Sequence, residues 1–217
     1  MCDAEIEFAA DVIPEGKGSD FVLKLLQVRP ISQYDEDRNS SVEQISKEIS
    51  RMVATSPKAL GAGRISGMRN IVYLPSEKFD SACTEEIAGE IAAFNRRMKE
   101  EGKTYMLIGP GRWGSSDPWL GIPVLWSDIS EAKLIVECAI PGFRVEPSQG
   151  THFFQNITSL GVGYLTVDTV SGDGSINEEF LNGLPALEEA KFVRLLELPD
   201  ELLAFIDRNS GNAVVGL

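Results

Sequence analysis

The chain has 217 residues, of which 43% are hydrophobic and 24% are charged, so it can fold around a sizeable core. Its 20 Lys and Arg against 33 Asp and Glu give a net charge of −13, which disfavours nucleic acid and anionic lipid as partners. No apolar run in the sequence is long enough to span a bilayer, and acidic groups stand where a signal peptide needs basic ones. We therefore expect a cytoplasmic protein without a membrane partner.

The cysteines are few and far apart. They are Cys2, Cys83 and Cys138, and the chain has one histidine, His152. An odd number of widely spaced cysteines with a single histidine supports neither a disulfide framework nor a zinc cluster. We expect three free thiols, with Cys83 and Cys138 packed against other residues.

The opening segment predicts a β-hairpin. EIEFAADV alternates as a strand does, PEGKGSD supplies turn residues, and FVLKLLQVRP is typical of a second, mostly buried strand that ends at Pro30. Residues 32–41 are polar without a period, which is typical of a linker. The linker leads into a predicted helix over SVEQISKEISRMV.

The rest of the chain alternates between strand and helix patterns. A strand at RNIVYLP precedes a helix over Thr84 to Glu101, and TYMLIG follows as a strand. Apolar residues recur at helical spacing along that helix: Ile87, Ile91, Phe94 and Met98. Further strands are predicted at AKLIVECAI, GVGYLTVD, AKFVRLLEL and LLAFID, short helices near GTHFFQNITSL and NEEFLNGL, and a closing hairpin over LLAFIDRNSGNAVVGL. The order predicts an α/β fold with a mixed sheet and flanking helices.

Three polar residues of the opening strands form the first candidate site. Gln27 and Arg29 are two residues apart, so they project from the same face of their strand. A carboxylate such as Glu7 and an amide oxygen are suitable ligands for Mg²⁺, and a guanidinium matches phosphate oxygens. From spacing alone, the simpler interpretation is that Glu7 is a solvated strand residue and that Arg29 forms an ion pair at the surface.

The motif around these residues resembles a known family. EIEF followed by LLQVRP is similar to the end of the ATP-grasp domain in the phosphoenolpyruvate synthase and pyruvate phosphate dikinase family, where D-I-E-[WF] precedes L-Q-[AT]-R. The resemblance implies that Glu7 and Gln27 ligate Mg²⁺ and that Arg29 contacts the transferring phosphate of ATP. Glu5 replaces the usual aspartate, and PEGKGSD lengthens the connection. An ATP-grasp fold also needs a large N-terminal region, so we expect that region as a partner and expect the isolated chain to be inactive.

A second resemblance to the same family surrounds His152. The family's swivelling phosphohistidine domain has G-G-x-[TS]-S-H-A-A, then an amphipathic helix and L-G-[IV]-P; here SQGTHFFQNITSLGVGYLTV follows a similar order. The resemblance implies that His152 is a catalytic nucleophile that carries phosphate between ATP and pyruvate. FIDRNSGNAVV and GAGRISGMRNIVY are similar to the closing hairpin and the opening of that domain. Phe153 and Phe154 replace two small residues and Thr151 replaces a serine, so a structural histidine is the alternative.

A glycine-rich segment, GPGRWGSSDPWLG at 109–121, is the third candidate. Glycines permit close backbone approach, an arginine offers a phosphate fork, and serines add hydroxyls. The candidate nucleotide- or phosphate-binding residues are Gly109, Gly111, Arg112, Gly114, Ser115 and Ser116. Asp117 is a possible metal ligand or helix cap. The alternative is a rigid turn with Trp113 and Trp119 packed over the core. Arg64, Arg69 and Arg144 fit surface residues better than ligands.

These resemblances imply three regions. Residues 1–31 would be the last strands of an ATP-grasp domain, 32–58 a linker and helix, and 59–217 a divergent swivelling phosphohistidine-like α/β domain. The implied function is that of a phosphoenolpyruvate synthase-like phosphotransferase that uses ATP and Mg²⁺, with pyruvate, phosphoenolpyruvate or another small phosphate acceptor. One alternative is a non-catalytic module that senses an anion or nucleotide. Another is an interaction domain for homo-oligomers, which an exposed apolar tryptophan surface would favour.

Overall fold

A computed structural model describes residues 4–15, 18–30, 40–115, 117, 121–140, 157 and 160–217. The chain divides into two compact units, Met1–Asp35 and Glu36–Leu217. Within the described part of the chain, no helix is long and apolar enough to cross a membrane. Several predicted features lie outside the described residues, namely Cys2, the linker over 32–39, Ser116, Trp119, Arg144, His152 and most of the helix near GTHFFQNITSL.

The first unit contains the predicted hairpin. Strands β1 (Ala4–Glu15) and β2 (Gly18–Pro30) pair antiparallel, and a register shift between Glu7 and Phe8 marks a bulge. Large apolar side chains of the hairpin are exposed: Ile6, Phe8, Val22, Leu23, Leu25, Leu26 and Val28. A two-stranded hairpin on its own is only marginally stable in water.

The second unit is a mixed α/β fold. Its described helices are α1 (Val42–Ser46), α2 (Thr84–Glu100) and α3 (Glu178–Gly183), with 3₁₀ turns at Ser76–Lys78, Ser81–Cys83 and Trp126–Asp128. Its first strands are β3 (Met52–Ser56), β4 (Lys58–Leu60), β5 (Gly63–Tyr73), β6 (Tyr105–Pro110), β7 (Arg112–Trp113) and β8 (Gly121–Ile122). The later strands are β9 (Ala132–Ala139), β10 (Gly163–Asp168), β11 (Ser175–Ile176), β12 (Ala186–Glu189), β13 (Arg194–Ile206) and β14 (Ala213–Gly216).

The main sheet combines a parallel and an antiparallel part. Its strand order is β11-β3-β14-β13-β5-β6-β9-β10-β4, with β12 beside β13. Strands β5, β6, β9 and β10 run parallel, and the other pairings are antiparallel. Strands β7 and β8 form a separate short parallel pair. The mixed sheet with flanking helices agrees with the α/β class predicted from the sequence.

The sheet curls so that its two ends approach each other. Strands β3 and β4 are separated in the chain by Pro57 alone, yet they lie towards opposite ends of the strand order. At this junction, the Ser56 hydroxyl donates a 2.5 Å hydrogen bond to the carbonyl oxygen of Thr166 in β10. An antiparallel bridge between Asp168 and Asp173 and a 2.7 Å ion pair from Lys58 to Asp173 lie near the same junction.

Three apolar clusters form the core of this unit. The largest fills the inside of the curled sheet and includes Met68, Met106, Leu134 and Leu202. A second cluster packs α2 against the parallel strands, and a third packs α1 against β13 and β14. The parallel strands are therefore buried on both faces, which explains their continuous apolar runs.

Helix α2 confirms its prediction. The four apolar residues predicted at helical spacing are all buried, acidic residues occupy its first turn and basic residues its last. These charges complement the helix dipole. Local sequence alone therefore specifies this helix.

Two predictions need correction. The helix expected over SVEQISKEISRMV ends at Ser46, because the backbone N–H groups of Ser50 and Arg51 donate to the Leu217 carbonyl oxygen and the chain then enters β3. The strands expected at AKFVRLLEL and LLAFID are one continuous strand, β13, since both halves pair with the long strand β5. A register shift between Glu197 and Leu202 absorbs the irregularity around Pro199.

Candidate functional site

The carboxyl ends of the parallel strands form one edge of the second unit. Strands β5, β6, β9 and β10 end at Tyr73, Pro110, Ala139 and Asp168. In open parallel sheets, ligands bind outside the carboxyl ends of the strands. The glycine-rich segment follows β6 at this edge, and His152 comes after β9 in the chain, outside the described residues.

The glycine-rich segment makes a tight turn directly after β6. Gly111 and Gly114 have φ angles of 90° and 79°, in the left-handed region that favours glycine. Gly109 has a different role, because a Cβ there would lie 2.8 Å from Leu74 Cβ and 3.3 Å from the Trp113 ring. The glycines at 109, 111 and 114 are therefore required by the turn and by its close packing.

Strand β9 holds this turn through three consecutive residues. Gly111 N–H donates to the carbonyl oxygen of Cys138 at 3.1 Å, and the Trp113 indole Nε1–H donates to that of Val136 at 3.2 Å. The backbone N–H of Trp113 donates to Glu137 Oε1 at 2.9 Å. Trp113 is only 1% exposed, as the rigid-turn interpretation expects, and it contributes nothing to an exposed tryptophan surface.

The remainder of the turn is braced by its own groups. Gly114 N–H donates to the Ile122 carbonyl oxygen at 2.8 Å, which continues the pairing of β7 with β8. The Ser115 hydroxyl donates to the Asp117 carbonyl oxygen at 3.1 Å and accepts from the Asp117 N–H at 3.2 Å. These contacts use the Ser115 hydroxyl within the turn. Arg112 lies between these hydrogen-bonded residues and is half-buried.

The most unusual group at this edge is Glu137, which belongs to none of the predicted sites. It is 0% exposed, and burial raises its pKa to about 7, although the Tyr164 hydroxyl, the Trp113 N–H and the Arg112 charge act in the opposite direction. Its Oε2 has no hydrogen-bond partner of standard geometry among the described residues. The available signal was a glutamate directly after the apolar run Leu134–Val136 in the strand AKLIVECAI.

The opposite face of the same edge carries Tyr73 and Cys138. The Tyr73 hydroxyl is buried and has no hydrogen-bond partner in the described part of the chain. Burial raises the pKa of the Cys138 thiol, which makes it a poor nucleophile. Cys138 is buried and Cys83 half-buried, and both thiols are free, in agreement with the prediction for these two residues.

The first predicted site lies on the two strands of the hairpin. The register of the hairpin pairs Glu7 with Gln27 and Glu5 with Arg29. The proposed ligand pair Glu7 and Gln27 therefore occupies directly opposed positions of two antiparallel strands. This juxtaposition was not readable from the sequence, because a bulge at the next residue shifts the register.

Two of the lesser arginine candidates have structural contacts. Arg64 makes a bidentate pair with Glu48 at 2.9 and 3.0 Å. Arg69 donates to the carbonyl oxygen of Pro199. Both contacts agree with the expectation that these arginines are surface residues.

The described fold defines the second unit as a mixed α/β domain with a curled sheet. The chain matches no protein-family model, no curated protein and no solved structure.

Proposed function

We propose that the chain is part of an ATP-dependent phosphotransferase of the phosphoenolpyruvate synthase type, with the second unit as its phosphohistidine carrier. One observation carries this proposal. Strands β6 and β9 are parallel neighbours, with Pro110 opposite Cys138, so the segments with Arg112 and His152 start from adjacent positions on one edge. A cation and a nucleophile on neighbouring loops are what phosphoryl transfer requires.

Phosphoryl transfer would give a separate role to the segment with His152 and to the turn with Arg112. A nitrogen of neutral His152 forms a bond to phosphorus while the bond from phosphorus to the leaving oxygen of ATP breaks. An acceptor oxygen then attacks phosphorus and releases the imidazole. The Arg112 guanidinium, held on a turn fixed by β9, stabilises the negative phosphoryl oxygens during both steps.

The architecture of the second unit supports a swivelling-type carrier. Apolar clusters on both faces of the parallel strands give three packed layers, with α2 outside and the antiparallel strands opposite. The predicted closing hairpin is present, since β13 and β14 pair antiparallel across the turn at 207–212. Such a compact unit can move as one body between two active sites.

The first unit supports a connection to a nucleotide-binding domain. Seven exposed apolar side chains on a two-stranded hairpin fit a structure that completes a larger sheet. The pairing of Glu7 with Gln27 places an acid and an amide, both oxygen donors, at one position, as a Mg²⁺ site needs. When bound there, Mg²⁺ would neutralise charge on the phosphates of ATP, and Arg29 would contact the transferring phosphate.

A non-catalytic anion-sensing module is the second candidate. The observation that favours it is the rigidity of the turn, whose tryptophan is fully buried and whose serine is bonded internally. In that case, Arg112 binds an anionic ligand, pyruvate is not an acceptor, and His152 has a structural role.

The test uses ATP labelled at the β- or γ-phosphate and the protein that contains this chain together with its ATP-binding region. Wild type is expected to incorporate acid-labile label, and His152→Ala to lose it. Arg112→Lys keeps the positive charge but loses the bidentate guanidinium, so slower labelling is expected. The matched control is Arg208→Lys at an exposed position of the 207–212 turn, where labelling should be unchanged. Equal labelling of wild type and His152→Ala contradicts the carrier role. ATP binding without any label favours the sensing module.

A further inference from the structure

Glu137 holds the turn after β6 through its side chain. Strand β9 offers this turn three hydrogen-bond acceptors, at Val136, Glu137 and Cys138. Two of them are backbone carbonyl oxygens, which any residue supplies, whereas the third is Glu137 Oε1, which accepts the Trp113 N–H at 2.9 Å. Among the described residues, Glu137 is also the only aspartate or glutamate that is fully buried. A carboxylate here needs a reason, because an apolar side chain would be less costly to bury.

The face of the sheet on which the turn packs explains why a side chain is needed. Side chains alternate along a strand, so Glu137 projects from the same face of β9 as Ile135. Ile135 and Trp113 belong to the apolar cluster that packs α2 against the parallel strands. The β9 backbone pairs with β6 and β10 on its two sides, so a buried N–H over the face needs an acceptor that projects from that face. Glu137 supplies this acceptor.

The backbone of Arg112 lies between two residues that β9 holds. On one side, Gly111 N–H donates to a β9 carbonyl oxygen, and on the other, Trp113 N–H donates to Glu137. The neighbouring strand β8 confines it further, because a Cβ at Gly121 would clash with the Arg112 carbonyl oxygen. Of the two β9 contacts, only the one through Glu137 depends on the identity of a β9 side chain.

We propose that Glu137 is a positioning residue for oxyanion binding at this turn. Its Oε1 holds the Trp113 N–H and, through it, the backbone from which Arg112 projects. The inference rests on the proposed function, since it takes the turn as the anion-binding part of that site. The position of the acceptor oxygen is what matters here, and not its charge, because the group that it holds is a neutral backbone N–H.

The same contacts determine how an anion is recognised. The N–H groups of Gly111, Trp113 and Gly114 all donate to acceptors within the protein. In phosphate-binding loops, by contrast, successive backbone N–H groups form a cradle for the anion. A tetrahedral oxyanion would therefore be recognised at this turn by the planar guanidinium of Arg112, whose geometry matches a pair of oxygens.

The test separates the position of the acceptor from its charge. Glu137→Gln keeps Oε1 in place and removes the charge, whereas Glu137→Asp keeps the charge and withdraws the acceptor by one methylene. Hydrogen exchange at the Trp113 amide should stay slow in Glu137→Gln and become about tenfold or more faster in Glu137→Asp. Sulfate affinity of the full chain, measured by calorimetry, should stay within about twofold of wild type in Glu137→Gln and weaken by about fivefold or more in Glu137→Asp. Exposed Glu197→Asp in β13 is the matched control and should behave as wild type.

Each other outcome overturns the proposal. Weaker sulfate binding in Glu137→Gln would show that the charge is required, and this variant decides the question even if Glu137→Asp does not fold. Unchanged affinity in a folded Glu137→Asp would show that the acceptor does not position the turn. Wild type must also bind sulfate in a way that Arg112→Ala reduces. Affinity is measured on folded protein, so a loss of stability alone would not change it.

This test is independent of the phosphohistidine, because sulfate cannot donate a phosphoryl group. The expected sulfate result without any acid-labile label from ATP would retain the positioning role of Glu137 and reject the carrier. Label lost in His152→Ala, together with equal sulfate affinity in wild type and Glu137→Asp, would retain the carrier and reject the positioning role.

Discussion

The backbone N–H of Trp113 donates a hydrogen bond to the buried carboxyl group of Glu137 over 2.9 Å, joining the turn after β6 to strand β9. The two residues are 24 positions apart in the chain. Their contact holds the turn that carries Arg112, the neighbour of Trp113, against strand β9. The hydrogen bond therefore links the packing of β9 to the turn that is proposed to bind phosphate.

The first prediction concerns stability and pH. The pKa of Glu137 is raised from an ordinary 4.5 to about 7 in the folded protein, so the folded state keeps a proton that the unfolded state has lost. The free energy of unfolding should fall as the pH rises from about 4.5 to about 7 and change little above that range, by roughly 2–4 kcal/mol in total. Urea unfolding at pH 5 and pH 8 measures this difference. Glu137→Gln should reduce it, and half-buried Glu131→Gln should leave it unchanged.

The second prediction concerns the turn. Gly109→Ala places a methyl group against Leu74 and the Trp113 ring, so we expect a loss of about 1–3 kcal/mol in stability. The matched control is Gly89→Ala within α2, where a Cβ meets nothing within 4 Å. There the better helix propensity of alanine should stabilise the protein by about 0.5–1 kcal/mol. Thermal unfolding of both variants measures the contrast, and equal effects would contradict the packing described for Gly109.

The sequence was enough to predict elements that depend on local interactions. It was not enough to predict features that depend on pairing between distant segments. Helix α2 follows from four apolar residues at helical spacing and from its terminal charges. The role of Glu137 depends on β6 and β9 being neighbours, which alternation along a single strand does not reveal. The premature end of α1 has the same cause, because the Leu217 carbonyl competes for the N–H groups of Ser50 and Arg51.

The third prediction concerns a buried amide on α2. Asn95 Nδ2 donates to the carbonyl oxygen of Ser127 at 3.1 Å, and its Oδ1 accepts from the Tyr105 hydroxyl and the Glu131 N–H, both at 3.0 Å. Asn95→Ala leaves the buried Tyr105 hydroxyl and two partly buried backbone groups without this partner, so we expect a loss of about 2–4 kcal/mol. Urea unfolding measures it, with exposed Asn182→Ala as the control expected to change stability by less than about 0.5 kcal/mol. Similar losses in both variants would contradict a central role for Asn95.

The last prediction concerns the closure of the curled sheet. Ser56 Oγ donates to the Thr166 carbonyl oxygen and accepts from the Lys58 N–H at 2.9 Å, so one hydroxyl joins β3, β4 and β10. Ser56→Ala should destabilise the protein by about 1–2 kcal/mol and speed hydrogen exchange at the Lys58 amide, because that N–H loses its acceptor. Exposed Ser175→Ala is the control, since among the described hydrogen bonds the Ser175 hydroxyl contacts only the side chain of Thr55. If exchange at Lys58 is unchanged in Ser56→Ala, or equally fast in both variants, the sheet is closed by the strand pairing of β4 with β10 rather than by this hydroxyl.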